Sequence, residues 1–320
     1  MDKEYIVALD LGGTKICSSV FDRYGNMLDK YKIKTNAHEG QEAVLQRVSH
    51  SIDTILNRCN VKLESVKSIG IGCPGPLDAR KGIIIHAPMM NWIQVHLTEY
   101  ISNKFQCPAF LDNDCNVAAL AENKYGAGKG LGNIIYITIS TGIGCGIIIN
   151  GEIYHGKHDS AGELGHTTID PDGKLCSCGN RGCLELYASG TAITNRVKDD
   201  LSNGQKSLIM ELVGDEINNV DAILIEKAAI LGDTYAKYIW NKTGEYLGIG
   251  LTNVINILDP EMIVLGGGIS KALNLFKESM ISTIRQRCFK YLTQDLSVEV
   301  AKLEDNVVLI GAYALAKTKI

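Results

Sequence analysis

Long hydrophobic runs are missing from this 320-residue sequence, and no window holds the ~18 or more uninterrupted apolar residues that a membrane-spanning helix needs. A cleavable leader is missing as well, because the N-terminus reads MDKEYIVALDLGG, with acids at Asp2 and Glu4 and no hydrophobic stretch of the leader type. These absences argue against membrane insertion and secretion. We therefore expect a cytoplasmic protein with no membrane partner.

A stripe of positive charge is also missing. The 32 lysines and arginines are scattered along the chain, and with 36 aspartates and glutamates the net charge is −4. Nucleic acids and anionic membranes are bound by clustered basic residues, so this distribution argues against both as partners. We expect a small-molecule substrate, and the length favours about two domains.

Cysteine, by contrast, is present ten times. Several of these residues, such as Cys17, Cys73 and Cys145, lie in apolar segments, as is typical of reduced thiols in the core of a cytosolic protein. Three others are clustered near a histidine. The two groups therefore call for different interpretations.

The clustered cysteines belong to the stretch SAGELGHTTIDPDGKLCSCGNRGCLELY, residues 160–187. The spacing Cys-x-Cys-Gly-x-x-Gly-Cys forces a tight turn that lets three sulfurs converge, and a nearby histidine completes the ligand set of tetrahedral Zn²⁺. Four protein ligands leave no position for a water nucleophile, so we predict a structural ion that clamps a loop. Unconnected thiols or a disulfide are the alternatives. The predicted ligands are His166, Cys176, Cys178 and Cys183.

A glycine-rich turn follows the first predicted strand, Tyr5–Leu9. Asp10 ends that strand, and Gly12, Gly13, Thr14 and Lys15 lead into a second apolar run. Glycines at such a turn let backbone N–H groups approach phosphate oxygens, and a carboxylate at the strand end could hold Mg²⁺ through water. A plain β-hairpin turn is the alternative.

The same order of strand, Gly/Thr turn and strand recurs at Ile134–Ile149, with Thr141 and Gly142 in the turn. The repetition predicts a duplicated fold in which each half supplies one phosphate-binding turn. A third glycine cluster, Gly266–Gly268, follows the strand Met262–Leu265 and would let the backbone lie flat against an adenine or ribose. A turn at a helix start is its alternative reading.

Asp114 lies between a predicted strand, Ala109–Leu111, and a helix that we expect from about Asn116 to Tyr125. A carboxylate at such a junction can act as a general base that takes a proton from an alcohol. The alternative is that Asp114 only caps the helix. Upstream, the segment His86–Trp92 (HAPMMNW) offers apolar side chains suited to the walls of a sugar site, although a buried core tryptophan explains Trp92 equally well.

These motifs, taken in order, resemble the ROK family of sugar kinases and related regulators, within the hexokinase, heat-shock ATPase and actin superfamily. The resemblance covers essentially the whole chain. It rests on Asp10–Lys15, Cys73–Leu77, Asn113 and Asp114, Ser140–Gly146, Glu163–His166, Cys176–Glu185 and Gly266–Gly268.

The resemblance implies an α/β protein with the two-domain actin-like ATPase (ribonuclease H-like) fold and a structural zinc loop. Residues 1–112 and 305–320 are expected to form a smaller α/β domain, and residues 113–304 a larger one that carries the zinc loop. The two domains are expected to close on the sugar and exclude water. A homodimer or homotetramer is also implied.

Individual roles are carried over from the family by position. Asp114 matches the catalytic base, and His166 would bind zinc through one ring nitrogen and offer the other to the sugar. ATP, Mg²⁺ and a hexose are the implied ligands. The residues implied to bind sugar hydroxyls are Asn113, Asp114, Glu163, His166 and Glu185. Those implied to bind the nucleotide are Asp10, Gly12, Gly13, Thr14, Lys15, Thr141, Gly142, Gly267 and Gly268.

The expected reaction is transfer of the ATP γ-phosphoryl group to the 6-hydroxyl of glucose. Met89 departs from the Pro-Asn-Leu-x-Trp form that is associated with glucokinases of the family, which leaves N-acetylmannosamine, fructose, mannose and allose as alternative acceptors. A sugar-responsive transcriptional regulator is the rival from another class. Such regulators carry a helix-turn-helix before the first strand, for which we expect no room ahead of Tyr5. A non-catalytic sugar-binding protein is a further rival.

Overall fold

The computed structural model describes residues 4–214 and 216–320. Its strands are β1 (Tyr5–Leu11), β2 (Lys15–Phe21), β3 (Met27–Lys34), β4 (Val66–Cys73), β5 (Leu77–Asp78), β6 (Ile83–Ala87), β7 (Trp92–Val95), β8 (Ala109–Asn113), β9 (Ile134–Ile139), β10 (Ile143–Ile149), β11 (Glu152–Ile153), β12 (Met262–Gly266) and β13 (Ser297–Val300). Its α-helices are α1 (Gln41–Arg58), α2 (Leu97–Phe105), α3 (Asp114–Tyr125), α4 (Glu185–Ala188), α5 (Gly190–Ser202), α6 (Leu208–Val213), α7 (Ala222–Ile230), α8 (Thr234–Leu258), α9 (Leu273–Arg287) and α10 (Val307–Thr318).

The first large sheet has the strand order β3-β2-β1-β4-β8. Strands β1, β2 and β3 form an antiparallel meander, whereas β4 and β8 join β1 in parallel. The alternation of side chains along β1 separates two apolar layers. Val7, Leu9 and Leu11 belong to the core cluster that includes α1, and Ile6 and Ala8 to the one that includes α10.

The second large sheet has the order β11-β10-β9-β12-β13. Renumbered from its own first strand, this order is 3-2-1-4-5, which is also the order of the first sheet. The duplication predicted from the repeated turn is therefore confirmed at the level of topology. A smaller antiparallel sheet, β5-β6-β7, carries the HAPMMNW segment.

The helix predicted at about Asn116–Tyr125 corresponds to α3 (Asp114–Tyr125). Helix α1 buries Val44, Val48 and Ile52 completely, as expected for an amphipathic helix packed on a sheet. Helix α3 begins at Asp114 and not near Asn116, because the side chain of Asn113 caps it. The polar interval Gly214–Asn219, which predicts a break in the helices of residues 188–246, contains a short 3₁₀ helix, Ile217–Asn219. Asp215, within that break, lies outside the described residues.

The chain divides into two compact units. Unit 1 consists of residues 1–136, 146–161 and 302–320, and unit 2 of residues 137–145 and 162–301. The predicted boundary after residue 112 falls inside unit 1, between β8 and α3. Helix α3 stays with unit 1 because it packs closely on α10, where Gly311 lies against the backbone of Val117.

Gly311 offers a test of this helix packing. A Cβ atom at position 311 would lie 1.9 Å from the carbonyl oxygen of Val117, and a backbone atom cannot move aside as a side chain can. Alanine normally stabilises a helix by up to about 1 kcal/mol relative to glycine. Here overpacking should prevail, and we expect Gly311→Ala to destabilise the protein by about 2 kcal/mol, or about 4–8 °C in the thermal midpoint.

The control for Gly311→Ala is Ser282→Ala, at an exposed position of α9. Oγ of Ser282 accepts one exposed hydrogen bond, from Nε2 of Gln286 at 3.1 Å, and surface substitutions of this kind change stability by about 0.5 kcal/mol or less, so the midpoint should shift by less than about 2 °C. Calorimetry of both variants checks the prediction. An unchanged or higher midpoint for Gly311→Ala would contradict the close contact between α3 and α10.

Among residues 4–214 and 216–320, no helix combines the length and the apolar character that crossing a bilayer requires.

Candidate functional site

Asp114 is the first residue of α3, directly after the end of β8. The alternative that Asp114 caps this helix is wrong, because the cap is Asn113, whose Oδ1 accepts from the N–H groups of Cys115 (2.8 Å) and Asn116 (3.4 Å). Oδ1 of Asp114 also accepts from the N–H of Cys115, at 2.8 Å. With its Oδ1 engaged by the helix, Asn113 has its amide NH₂ left to meet a ligand.

A buried carboxylate, Asp112, holds this junction in place. Its Oδ1 accepts from the backbone N–H of Asn113 (2.7 Å) and from Nδ2 of Asn116 (2.9 Å), and its Oδ2 lies 2.7 Å from Nε2 of His155. This hydrogen bond raises the pKa of His155. Sequence reasoning missed both residues, since His155 is 43 positions away and nothing in its neighbourhood pointed to Asp112.

Asp10 and Asp114 influence each other electrostatically. Burial raises the pKa of Asp114, and the negative charge of Asp10 adds to the increase. Burial also raises the pKa of Asp10, opposed by the ammonium of Lys15, whose Nζ lies 3.3 Å from Oδ2 of Asp10. Two carboxylates that resist ionisation together favour a cation near them. Asp10 thus pairs with Lys15 and is also close enough to Asp114 for its charge to act on that carboxylate.

The raised pKa of Asp114 can be measured directly. We expect a ¹³C NMR titration to place it above the ordinary value of 3.8, and Asp10→Asn to lower it, because the substitution removes a like charge. Since the folded-state pKa exceeds the unfolded one, the stability that Asp114 contributes is present at low pH and is lost as the pH rises through the folded-state pKa. An Asp114 pKa that does not respond to Asp10→Asn would contradict this coupling.

The first glycine turn is fixed by hydrogen bonds on both sides. The N–H of Gly12 donates to the carbonyl of Lys15 (2.9 Å), and Thr35 binds the turn through its hydroxyl, which donates to the carbonyl of Gly12 at 2.6 Å. Thr14 is exposed. Gly13 has a separate reason to be glycine, because a Cβ atom there would lie 2.7 Å from Cβ of Met89. The HAPMMNW segment therefore packs against the first glycine turn of the same unit.

The predicted metal ligands of unit 2 come together. The ligand atoms of the four residues all lie within 4.8 Å of one another, with Nδ1 of His166 3.7 Å from Sγ of Cys176. No disulfide forms among the ten cysteines, all of which lie in the described ranges, so the disulfide alternative is wrong. Three thiolate sulfurs and one imidazole at this spacing fit a tetrahedral ion. The cluster consists of His166, Cys176, Cys178 and Cys183, here called the Cys/His cluster.

Local backbone bonds explain how this loop folds. The N–H of Cys176 donates to the carbonyl of Asn180 at 2.7 Å, and the N–H of Gly179 donates back to Cys176 at 3.0 Å. Gly182 has φ +67°, and a Cβ atom there would lie 1.6 Å from the carbonyl oxygen of Asp170. Only glycine fits position 182. This glycine of the motif is therefore required by the backbone conformation of the loop.

The two acids beside the cluster differ in their surroundings. Glu163 is exposed and precedes the short 3₁₀ helix Leu164–His166. Burial raises the pKa of Cys145 to about 12, and the charge of Glu163 contributes. Glu185 is partly buried, and its Oε2 accepts a hydrogen bond from the N–H of Ile143 at 2.9 Å. Glu185 thus touches the second glycine turn.

A cavity of about 640 Å³ lies in unit 2, beside the second turn and the third glycine cluster. Gly268 lines it with no atom within 4 Å of a Cβ position, whereas Gly267, at φ +83°, lies against the carbonyl of Ile139. The side of the cavity formed by α5 was not predicted from sequence. The spacing of Thr191, Thr194 and Asn195 could have indicated that they lie on one face of that helix. Other lining residues include Ser140, Thr141, Asp221, Ile223, Glu226, Trp240 and Lys271.

Two sheets of the same 3-2-1-4-5 order, each with a glycine turn after its first strand, define an α/β protein of the actin-like ATPase class. Within that class the chain belongs to the ROK family, whose model matches residues 6–319.

Similar proteins include both enzymes and regulators. The glucokinase of Halalkalibacterium halodurans is 33% identical over 99% of this chain and 96% of its own length. The xylose repressor of Caldicellulosiruptor bescii is 31% identical over 97% of this chain and 77% of its own length.

Solved structures divide in the same way. A ROK family transcriptional regulator, a homologue of E. coli MLC, superposes with a TM-score of 0.89 at 30% identity, over 97% of this chain and 77% of that one. A ROK family glucokinase from Streptomyces griseus, in complex with glucose and AMPPNP, gives a TM-score of 0.80 at 29% identity, over 98% of this chain and 99% of that one.

Proposed function

We propose that this protein is an ATP-dependent hexose kinase that phosphorylates the 6-hydroxyl of glucose. The observation that carries the proposal is Asp114, a carboxylate at the first residue of a helix that Asn113 caps, close enough to Asp10 for that charge to raise its pKa. The glucokinase similarities support the same choice.

In this proposal Asp114 accepts the proton of the attacking hydroxyl. Its raised pKa makes it a stronger base than an ordinary aspartate. Asn113 donates its amide N–H groups to a sugar hydroxyl. Glu163, His166 and Glu185 are proposed to bind further hydroxyls, with His166 using Nε2 because Nδ1 faces the Cys/His cluster.

The nucleotide is proposed to bind both glycine turns and the 640 Å³ cavity. Backbone N–H groups near Gly12, Gly13 and Thr141 would meet phosphate oxygens, and the ammonium of Lys15 adds positive charge. Asp10 is the residue that would hold Mg²⁺ through water, and the ion would neutralise phosphate charge. Phosphoryl transfer depends mainly on such positioning and charge neutralisation.

The Cys/His cluster is proposed to hold a structural Zn²⁺. Its donors are those that zinc prefers, and four of them close the coordination sphere. The ion's chemistry is to fix the loop, and no step of the reaction passes through it. A homodimer or homotetramer stays a prediction, which light scattering of the purified protein would test.

The experiment that tests the function is a coupled assay with ATP and Mg²⁺ across glucose, mannose, fructose, allose, N-acetylglucosamine and N-acetylmannosamine, ranked by kcat/KM. Glucose should rank first. N-acetylmannosamine in first place would reassign the acceptor and give Met89, which rests on Gly13, a role in that choice. Absence of turnover with every sugar would contradict the kinase.

The similarity to xylose repressors favours a sugar-responsive regulator as the second candidate. Such a protein would bind a sugar and change its affinity for a DNA operator without turning over ATP. Calorimetric sugar binding combined with zero kinase activity would support this candidate. Turnover that disappears in Asp114→Asn would reject it.

A further inference from the structure

Glu185 makes a contact that a role in sugar binding does not explain. Its Oε2 lies 2.9 Å from the backbone nitrogen of Ile143 and accepts that N–H. A Cβ atom added to Gly142 would lie 2.4 Å from the same oxygen and 3.9 Å from Oε1. The carboxylate therefore covers the peptide between Gly142 and Ile143. A methyl group at position 142 would displace this carboxylate.

The second glycine turn is thereby held from both sides by one segment of chain. At its start, the carbonyl of Ser140 accepts from the N–H of Gly190, the first residue of α5, at 2.7 Å. At its end, the N–H of Ile143 is bound by Glu185, the first residue of α4. Across the turn itself, the N–H of Ser140 donates to the carbonyl of Gly142 at 2.9 Å.

This arrangement leaves two amides of the turn for a ligand. Within the described ranges the N–H groups of Thr141 and Gly142 have no acceptor, whereas that of Ile143 is occupied by Glu185. Consecutive open amides in a tight turn bind phosphate oxygens well only when the turn is rigid. A charged acceptor makes the hydrogen bond to Ile143 stronger than a neutral one would.

Glu185 is also linked directly to the Cys/His cluster. Only Leu184 separates it from Cys183, and both of these residues are completely buried. The N–H of Leu184 donates to the carbonyl of Thr167 at 2.9 Å, and its side chain lies against Gly250 of α8. A shift of Cys183 therefore has to move Glu185.

We propose that Glu185 is a positioning residue for the nucleotide-phosphate turn and that it makes nucleotide affinity depend on the Cys/His cluster. The proposal rests on the proposed kinase function and adds a nucleotide-side role to a residue assigned to the sugar. Oε2 rigidifies the turn, and Oε1 stays available to a sugar hydroxyl. The same carboxylate then contacts the nucleotide-phosphate turn through Oε2 and the sugar through Oε1.

The test is the affinity for Mg²⁺–AMPPNP measured by calorimetry without any sugar. Glu185→Ala should weaken it about 10-fold, because the turn loses a charge-assisted hydrogen bond. Glu185→Gln keeps an acceptor oxygen of the same reach but loses the charge, so it should weaken binding by only about 3-fold. Glu278→Ala, at an exposed acid of α9 in the same unit, is the matched control and should leave sugar-free nucleotide affinity unchanged.

Gly142→Ala should disrupt the same contact by a change in the turn, with Glu185 itself retained. Its methyl group would take the place of Oε2, so it should weaken nucleotide binding as much as Glu185→Ala, and the double variant should show no further loss. Should Glu185→Ala fail to fold, Gly142→Ala carries the test alone. Removing the metal from the wild type with a chelator should weaken sugar-free AMPPNP binding by a similar factor.

The outcomes separate the inference from the function on which it rests. Unchanged AMPPNP affinity in both Glu185→Ala and Gly142→Ala, with only the KM for sugar raised, would overturn the positioning role while leaving the kinase intact. Additive losses in the double variant would overturn the shared contact. A wild-type protein that binds no nucleotide would instead reject the proposed function.

Discussion

Replacing Asp114 with asparagine should lower kcat by about 10²- to 10⁴-fold and leave the fold intact. The amide keeps the size of the carboxylate but cannot accept the proton of the attacking hydroxyl. Stability should hold because Asn113, and not Asp114, caps α3. The raised pKa also shows that the surroundings disfavour the charged form, so a neutral side chain removes a cost.

The measurement for Asp114→Asn combines kcat and KM for glucose with a thermal unfolding curve. Asp53→Asn, an equivalent substitution on the exposed face of α1, is the control and should behave like the wild type in both. The expected pattern is a loss in kcat with a smaller change in KM, as for a group that acts in the transition state. A variant that keeps kcat within about 5-fold of the wild type would remove Asp114 from the role of base.

Loss of one ligand of the Cys/His cluster is the second change from which we expect a large effect. Cys183→Ser should release the bound zinc and lower kcat/KM for the sugar by at least about 10- to 100-fold. The physical reason is local, because the cluster orients His166 and the short segment that leads from Cys183 to Glu185. The thermal midpoint should fall as well, since metal binding contributes to folding.

Cys59→Ser is the matched control, because Cys59 is a partly buried thiol at the end of α1, outside the cluster. It should keep one zinc per chain by elemental analysis and the kinetic constants of the wild type. The decisive comparison is metal content against KM for the sugar in each variant. Complete zinc loss in Cys183→Ser with an unchanged sugar KM would refute the link between the cluster and the sugar site.

Several elements were predictable from sequence to within a few residues. The strands β1 (predicted as Tyr5–Leu9, observed as Tyr5–Leu11) and β12 (predicted as Met262–Leu265, observed as Met262–Gly266) follow apolar runs and glycine placement, which are properties of neighbouring residues. The convergence of the Cys/His cluster was predictable for the same reason, since its four residues lie within 18 positions along the chain. Capping was less predictable, because Asn113 and Asp114 are both good capping residues.

Local sequence patterns do not predict that α3 belongs to unit 1. Composition does not change at residue 112, and nothing in α3 indicates that it packs on α10 almost 200 positions later. The role of Gly311 can be recognised only when both helices are placed, because the close approach of Val117 is what leaves no space for a side chain there. The 640 Å³ cavity of unit 2 could not be predicted for the same reason, because its walls come from segments that are far apart in the sequence.

The sequence by itself determined the duplicated turns, the zinc-type spacing and the identity of the candidate base, because each depends on residues a short distance apart. The tertiary structure alone decided the partners of those residues. Asp112 is hydrogen-bonded to His155, 43 positions later in the sequence, and Ile143 to Glu185, 42 positions later. Such pairs are set by how strands and helices pack, and packing depends on the whole chain because no short segment buries enough apolar surface to fix its own position.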